Sequence, residues 1–264
     1  MAFASLHHAR LYWRELGSKS ALPIMFANSL GTDCRLWDEV GAALSTHYRV
    51  ILYDQRGHGL SEVTPGPYDI DMLANDALAL ADHLALGRFG FVGLSVGGLV
   101  AQRLALMAAS RLSALVICDS AAKIGIAQSW DARIKAVATN GLPGICAAVM
   151  ERWFTPAYLA TRPTELAGWA RMLNATSASG YIATCEALKN ADLTRDITGI
   201  RTPTLVVCGD SDQSTPPELV RETADLIPGA RFELIQACGH IPPAEQPKAL
   251  LTLLNRHFEE FLHV

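Results

Sequence analysis

A run of apolar residues, Phe89-Gly90-Phe91-Val92-Gly93-Leu94, stops at Ser95. Beyond it Leu99, Val100, Leu104 and Met107 recur three to four apart, the spacing of one helix face. A buried strand therefore turns sharply into a helix, and a serine sits at the turn. Such a turn needs small residues around it, and Gly93 and Gly97 supply them, while Gly98 lets the helix pack close to its neighbours. The geometry lifts the Ser95 hydroxyl clear of the sheet and puts the Val96 amide at a helix N-terminus, where partial positive charge stabilises an anion. This is the position of a nucleophile.

The rest of the chain repeats the strand–helix alternation. Strands are predicted at 9–16, 23–27, 49–53, 112–118, 204–208 and 231–235, besides the one before Ser95. Helices are predicted at about 37–45, 69–86, 217–226 and 246–261. In the second of these Ile70, Leu73, Ala77, Leu80 and Leu84 form the apolar face and Gly87 ends it. Alternation of this kind implies parallel strands joined by right-handed crossovers, an α/β sheet domain. Between 121 and 191 the strand signal vanishes, and Pro143, Pro156 and Pro163 divide an Ala-rich stretch into three or four short helices. The expected organisation is a sheet core built from two stretches of chain, residues 1–120 and residues 192–264, with a helical cap (lid) at 121–191 inserted between them.

Composition sets limits on partners. Half of the 264 residues are hydrophobic and 18% are charged, enough apolar matter for one large core. A net charge of −4 without any basic run argues against nucleic acid and phospholipid. No apolar run is long enough to span a membrane, and Met1–His8 lacks the form of a signal peptide. The six cysteines are scattered without a C-x-x-C pair, so reduced, buried thiols in a cytoplasmic setting are expected. No histidine pair has metal-ligand spacing with a carboxylate, so no metal is expected. The scattered histidines at 7, 8, 47, 83 and 257 are assigned to the surface or the core edge, and His58 to a structural hydrogen bond. The sequence leaves a homo-oligomer open.

A serine hydroxyl needs a base within reach and a third group to orient that base. In open α/β sheets such groups gather on loops at the carboxyl ends of strands. Two late loops qualify: Gly209-Asp210-Ser211-Asp212 after one strand, and Cys238-Gly239-His240 after the last. His240 is the candidate base. Asp212 completes the chain order nucleophile, acid, base, with Asp210 and Asp119 as rivals for the acid.

At this point the chain resembles the α/β-hydrolase fold superfamily over nearly its whole length. Gly93–Gly98 matches its nucleophile elbow, Asp54–Ser61 a loop common in the family, Gly209–Asp212 its acid loop and Cys238–His240 its histidine loop. The segments Asn28–Asp33 with Leu36–Asp38, Cys118–Gly125 and Trp130–Ile134 are similar to those of 3-oxoadipate enol-lactonases. The resemblance implies a mostly parallel sheet flanked by helices, with a cap inserted after the sixth strand. It puts the acid at Asp212 and the backbone oxyanion donors at Val96 and Leu30, where many relatives carry His-Gly in place of Asn28-Ser29. It implies hydrolysis of a small cyclic enol ester, a lactone carrying a carboxylate, in aromatic-compound catabolism, with no cofactor. A negatively charged chain holds such a substrate through a local cation, and Arg133 beside Trp130 is the candidate, with Asn28, Ser29 and Trp153 as further substrate contacts. Arg152 and Arg171 are read as solvated helix residues. Another esterase, a C–C bond hydrolase, a perhydrolase or a small-molecule receptor of the same fold shares the triad.

Overall fold

The strand that leads to Ser95 lies inside an eight-stranded sheet in the computed structural model, which describes residues 2–6 and 8–262. In chain order the strands are β1 (Ala2–Ser5), β2 (Arg10–Leu16), β3 (Pro23–Ala27), β4 (Arg49–Tyr53), β5 (Phe89–Leu94), β6 (Leu112–Cys118), β7 (Thr204–Gly209) and β8 (Arg231–Ile235). The helices are α1 (Asp38–Leu44), α2 (Ile70–His83), α3 (Val96–Met107), α4 (Ala127–Asn140), α5 (Cys146–Trp153), α6 (Pro156–Thr161), α7 (Pro163–Ala175), α8 (Ala178–Asn190), α9 (Pro217–Leu226), α10 (Pro242–Glu245) and α11 (Pro247–Phe261).

The sheet order is β1-β2-β4-β3-β5-β6-β7-β8, antiparallel at β1/β2 and β2/β4 and parallel elsewhere. From β3 the chain crosses to β4 on one side and then returns to β5 on the other. The carboxyl ends of β3 and β5 therefore lie side by side, with Ala27 paired to Gly93. That is the switch point where open α/β sheets form a crevice. The central strands are buried on both faces, which explains their unbroken apolar sequences.

The structure departs from the sequence expectation in three places. β1 has no sequence signal, since only Ala4 of its four residues is buried, and pairing with β2 creates it. α2 starts where predicted, with Asp69 accepting from the Met72 amide at 2.7 Å, but it ends before Gly87. Ala85 takes the left-handed conformation (φ 51°) so that Leu86 can turn into the core. Between β6 and β7 five α-helices form, not three or four. Pro156 and Pro163 open α6 and α7, where the missing N–H costs nothing, and do not merely end the helices before them. Among the described residues no helix is long and apolar enough to cross a membrane.

Candidate active site

Ser95 sits at φ 57°, ψ −116° between β5 and α3, a strained conformation for a residue with a side chain. The turn closes tightly: a Cβ on Gly93 would lie 1.9 Å from the Gly97 carbonyl oxygen, and one on Gly97 would lie 2.6 Å from that of Ala27. The elbow is tied to β6 by the Ser95 amide, which donates to Cys118 O (2.9 Å), and by the Ser120 hydroxyl, which donates to Ser95 O (2.7 Å).

Asp212 and His240 come together from the loops after β7 and β8. His240 Nδ1 lies 2.8 Å from Asp212 Oδ2, both side chains being buried. With that nitrogen donating, Nε2 is left with a free lone pair, the form a general base requires. Asp212 also accepts from the amides of Ser214 (2.7 Å) and Thr215 (3.1 Å) and from the Thr215 hydroxyl (2.7 Å). Burial alone would raise its pKa. The adjoining His240 and these donors outweigh burial and hold the carboxyl below its ordinary value. The rival Asp210 does other work: it accepts from the amides of Ala237 and Cys238 and so fastens the acid loop to the histidine loop. Asp119 lies close to Asp212, a carboxyl oxygen of each within 4.8 Å of the other, and accepts from the Gly209 amide (2.9 Å), whereas the carboxylate bonded to His240 is that of Asp212.

Ser95 and His240 open into one cavity of about 120 Å³. Ser29, Leu30, Trp130, Arg133 and Trp153 line it as well. Asn28 does not: it is fully buried, and its Nδ2 donates to Tyr53 O (2.9 Å) while its own carbonyl accepts from Gln55 (2.8 Å). The expected substrate contact is thus a brace between the β3 loop and β4. Neither the Leu30 nor the Val96 amide has a hydrogen-bond acceptor among the described residues, as two donors awaiting an anion require. His58 shapes this loop. Its Nε2 accepts from the Gly31 amide at 3.0 Å, next to Leu30, and burial lowers its pKa to about 4, so the ring is neutral and able to accept.

Several lining residues are not apparent from sequence. Arg152, a solvated helix residue on its local pattern, lines the cavity from the end of α5. Tyr181 on α8 does so too, its hydroxyl 3.4 Å from Arg133 Nη1. Arg152 directly precedes Trp153, which is the signal that could have found it; Tyr181 has none, because α8 meets α4 only through tertiary packing. Arg171 does not line the cavity, and Arg35 is engaged with Asp33 (2.6 Å). His257, placed at the surface or core edge by sequence, is buried on α11 beside Arg231. His7 lies outside the described residues.

The histidine loop is bound to the end of α5 and the start of α6 as well as to the acid loop. The His240 amide donates to Trp153 O (2.8 Å). Glu245 accepts from the Gly239 amide (2.9 Å) with one oxygen and from the Thr155 amide (3.2 Å) and hydroxyl with the other. The segment that lines the cavity is thereby joined to the loop that carries His240.

Comparison with known proteins agrees with this architecture. A family profile described as alpha/beta hydrolase fold matches residues 23–247. The chain is 37% identical over 239 residues to 3-oxoadipate enol-lactonase 2 of Acinetobacter baylyi, covering 90% of this chain and 89% of that protein. It is 35% identical to 3-oxoadipate enol-lactonase 1 of the same organism over the same shares of each chain. The crystal structure of the enol-lactonase from Burkholderia xenovorans LB400 superposes with a TM-score of 0.96 at 37% identity, covering 98% of this chain and 100% of that one. The strained serine elbow on a sheet of this order, and sequence identity at this level over nearly the full length, place the chain in the α/β-hydrolase fold family.

Proposed function

We propose that this protein hydrolyses 3-oxoadipate enol-lactone to 3-oxoadipate, in the catabolism of aromatic compounds. The observation that carries this reading is a single small cavity in which Ser95 and His240 face two arginines, Arg133 and Arg152. The full-length likeness to enol-lactonases supports it. A nucleophile and base beside paired cations suit a small ester that carries a carboxylate.

In this mechanism Ser95 Oγ attacks the lactone carbonyl as His240 Nε2 takes its proton. Asp212 holds the imidazole in the required tautomer and stabilises its charged form. The oxyanion settles on the amides of Val96 and Leu30. As the tetrahedral intermediate collapses, His240 gives its proton to the departing ring oxygen, the ring opens, and the enol so formed remains tethered to the acyl chain, where tautomerisation to the ketone favours opening. His240 then activates water to release the acid from Ser95. The segment 121–191 serves as the lid, since Trp130, Arg133, Arg152, Trp153 and Tyr181 all reach the cavity from it. The six cysteines are unpaired, which supports a reducing, cytoplasmic setting.

Steady-state hydrolysis of the enol-lactone, measured beside a simple uncharged aryl ester, tests the reading. A kcat/KM at least ~100-fold higher for the lactone is expected, the upper range of one charge-assisted contact. Comparable values for both would make the protein a general esterase of this fold.

A further inference from the structure

Asp119 presents a problem of charge that the reaction does not use. It follows β6 with φ 45°, is 0% exposed, and its amide donates to Val207 O (2.8 Å). Its Oδ1 accepts from the Gly209 amide, whereas its Oδ2 has no hydrogen-bond partner among the described residues. Yet a carboxyl oxygen of Asp119, one of Asp212 and the sulfur of Cys208 lie within 4.8 Å of one another, all buried. A buried carboxyl oxygen without a partner calls for an explanation.

Two carboxylates this close and this dry do not both ionise. The donors decide which one keeps the charge. Asp212 receives four: the amides of Ser214 and Thr215, the Thr215 hydroxyl and His240 Nδ1. Asp119 receives one N–H donor, from Gly209. The other titratable groups around it are the thiols of Cys118, Cys208 and Cys238, while His240 is bonded to Asp212. Thiols are weak donors, and Cys208 Sγ also reaches the carbonyls of Gly209 and Thr215. Burial, and then the charge of Asp212, push the Asp119 carboxyl well above its ordinary pKa.

We propose that Asp119 is a positioning residue for the triad: it stays a neutral acid while Asp212 carries the charge, and the proton on its otherwise unpartnered Oδ2 is directed at Asp212. The proposal rests on the reading of Asp212 and His240 as the acid–base pair. It explains why Oδ2 lacks a donor, since a protonated oxygen supplies one. It also leaves a single negative charge behind His240, so the imidazolium formed when Ser95 attacks meets one counter-charge. The Asp119 proton does not move during the cycle.

The test is infrared difference spectroscopy of the full-length protein near neutral pH, combined with pH–rate profiles. Wild type should show the C=O stretch of a protonated carboxyl that Asp119→Asn loses. Asparagine keeps the acceptor for Gly209 and offers an N–H in place of the O–H, and it tolerates the positive φ. Asp119→Asn should therefore keep kcat within about threefold and leave the acid limb of the pH–rate profile unmoved. Asp119→Leu, which can do neither, should lose roughly 10- to 100-fold in kcat, the range expected for one hydrogen bond to a charged group. Should Asp119→Leu fail to fold, the infrared band and Asp119→Asn still decide. An absent band, a loss of about 10⁴ in Asp119→Asn, or a fall of more than about one pH unit in the acid limb of its pH–rate profile would show Asp119 ionised and overturn the proposal. Asp212→Asn and His240→Ala run alongside. Wild-type rates in those two would remove the triad reading, and the proposal with it. Inactive variants with no band in wild type would remove only the proton on Asp119.

Discussion

At Ser95 a single hydroxyl depends on a backbone geometry that the small residues beside it make possible, so Ser95→Ala should abolish turnover with an unchanged melting temperature. Asp212→Asn should cost about 10⁴ in kcat, the penalty such a change incurs in serine proteases when the histidine is left in the wrong tautomer. Single-turnover kinetics would separate that loss from any change in binding. The arginines permit a differential test. If Arg133 and Arg152 hold the substrate carboxylate, Arg133→Met should reduce kcat/KM on the enol-lactone by roughly 10- to 150-fold, the value of one charge-assisted contact at about 1.5–3 kcal/mol. An uncharged lactone never makes that contact and should lose little. Arg133→Lys should recover only part, because it keeps the charge but not the planar pair of donors. Equal losses on both lactones would make Arg133 a support for Tyr181, and Arg152 would become the residue to test.

Among the elements, the junction between the cap and the histidine loop is the one on which catalysis should depend most. Glu245 at the end of α10 holds the Gly239 amide with one oxygen and Thr155, just beyond α5, with the other. Glu245→Gln turns an N–H toward one of these donors and removes the charge from both bonds. The expected result is a fall of about tenfold or more in kcat, from loss of His240 placement. An unchanged kcat with a lower melting temperature would confine Glu245 to stability. The loop after β3 is a second such element, because His58 must be neutral to accept from Gly31 and so to hold the Leu30 amide in place.

On the scale of the whole molecule, His58 and His257 are both buried and both have pKa values lowered to about 4, in each case by burial first. Unfolding releases them to the ordinary value near 6.5, so the unfolded chain binds more protons between those limits. Their contribution is complete above about pH 6.5 and is lost as the pH falls toward about 4. Each shift corresponds to roughly 3 kcal/mol at about 1.36 kcal/mol per pKa unit. The buried carboxyls of Asp54 and Asp76, raised by burial, act in the opposite direction, so a comparison of variants is the sound test. His257→Gln should flatten the decline in stability between about pH 7 and about pH 4.5 relative to wild type, measured by urea unfolding at both values. An identical decline in the two proteins would show that His257 does not titrate in this range.

Much of the architecture was legible because it is local. The Ser95 elbow, the strands at 49–53, 112–118 and 231–235 and the helix at 217–226 follow from apolar spacing and small residues that act within a few positions of chain. Resemblance supplied Asp212 for the acid, which spacing alone could not separate from Asp210 and Asp119. What the sequence could not decide is what depends on partners distant along the chain. β1 exists because β2 pairs with it. Asn28 braces β4 and does not face the cavity because Tyr53 lies beside it in the sheet. Arg152 and Tyr181 line the cavity only because α5 and α8 bring them beside Leu30 and Ser95, which follow β3 and β5. Asp119 is a concealed neighbour of Asp212 because β6 and β7 run parallel in register, and no local pattern records that adjacency. Local spacing fixes backbone conformation, whereas the contacts that assign a side chain to substrate, brace or proton arise from packing between residues far apart in the chain.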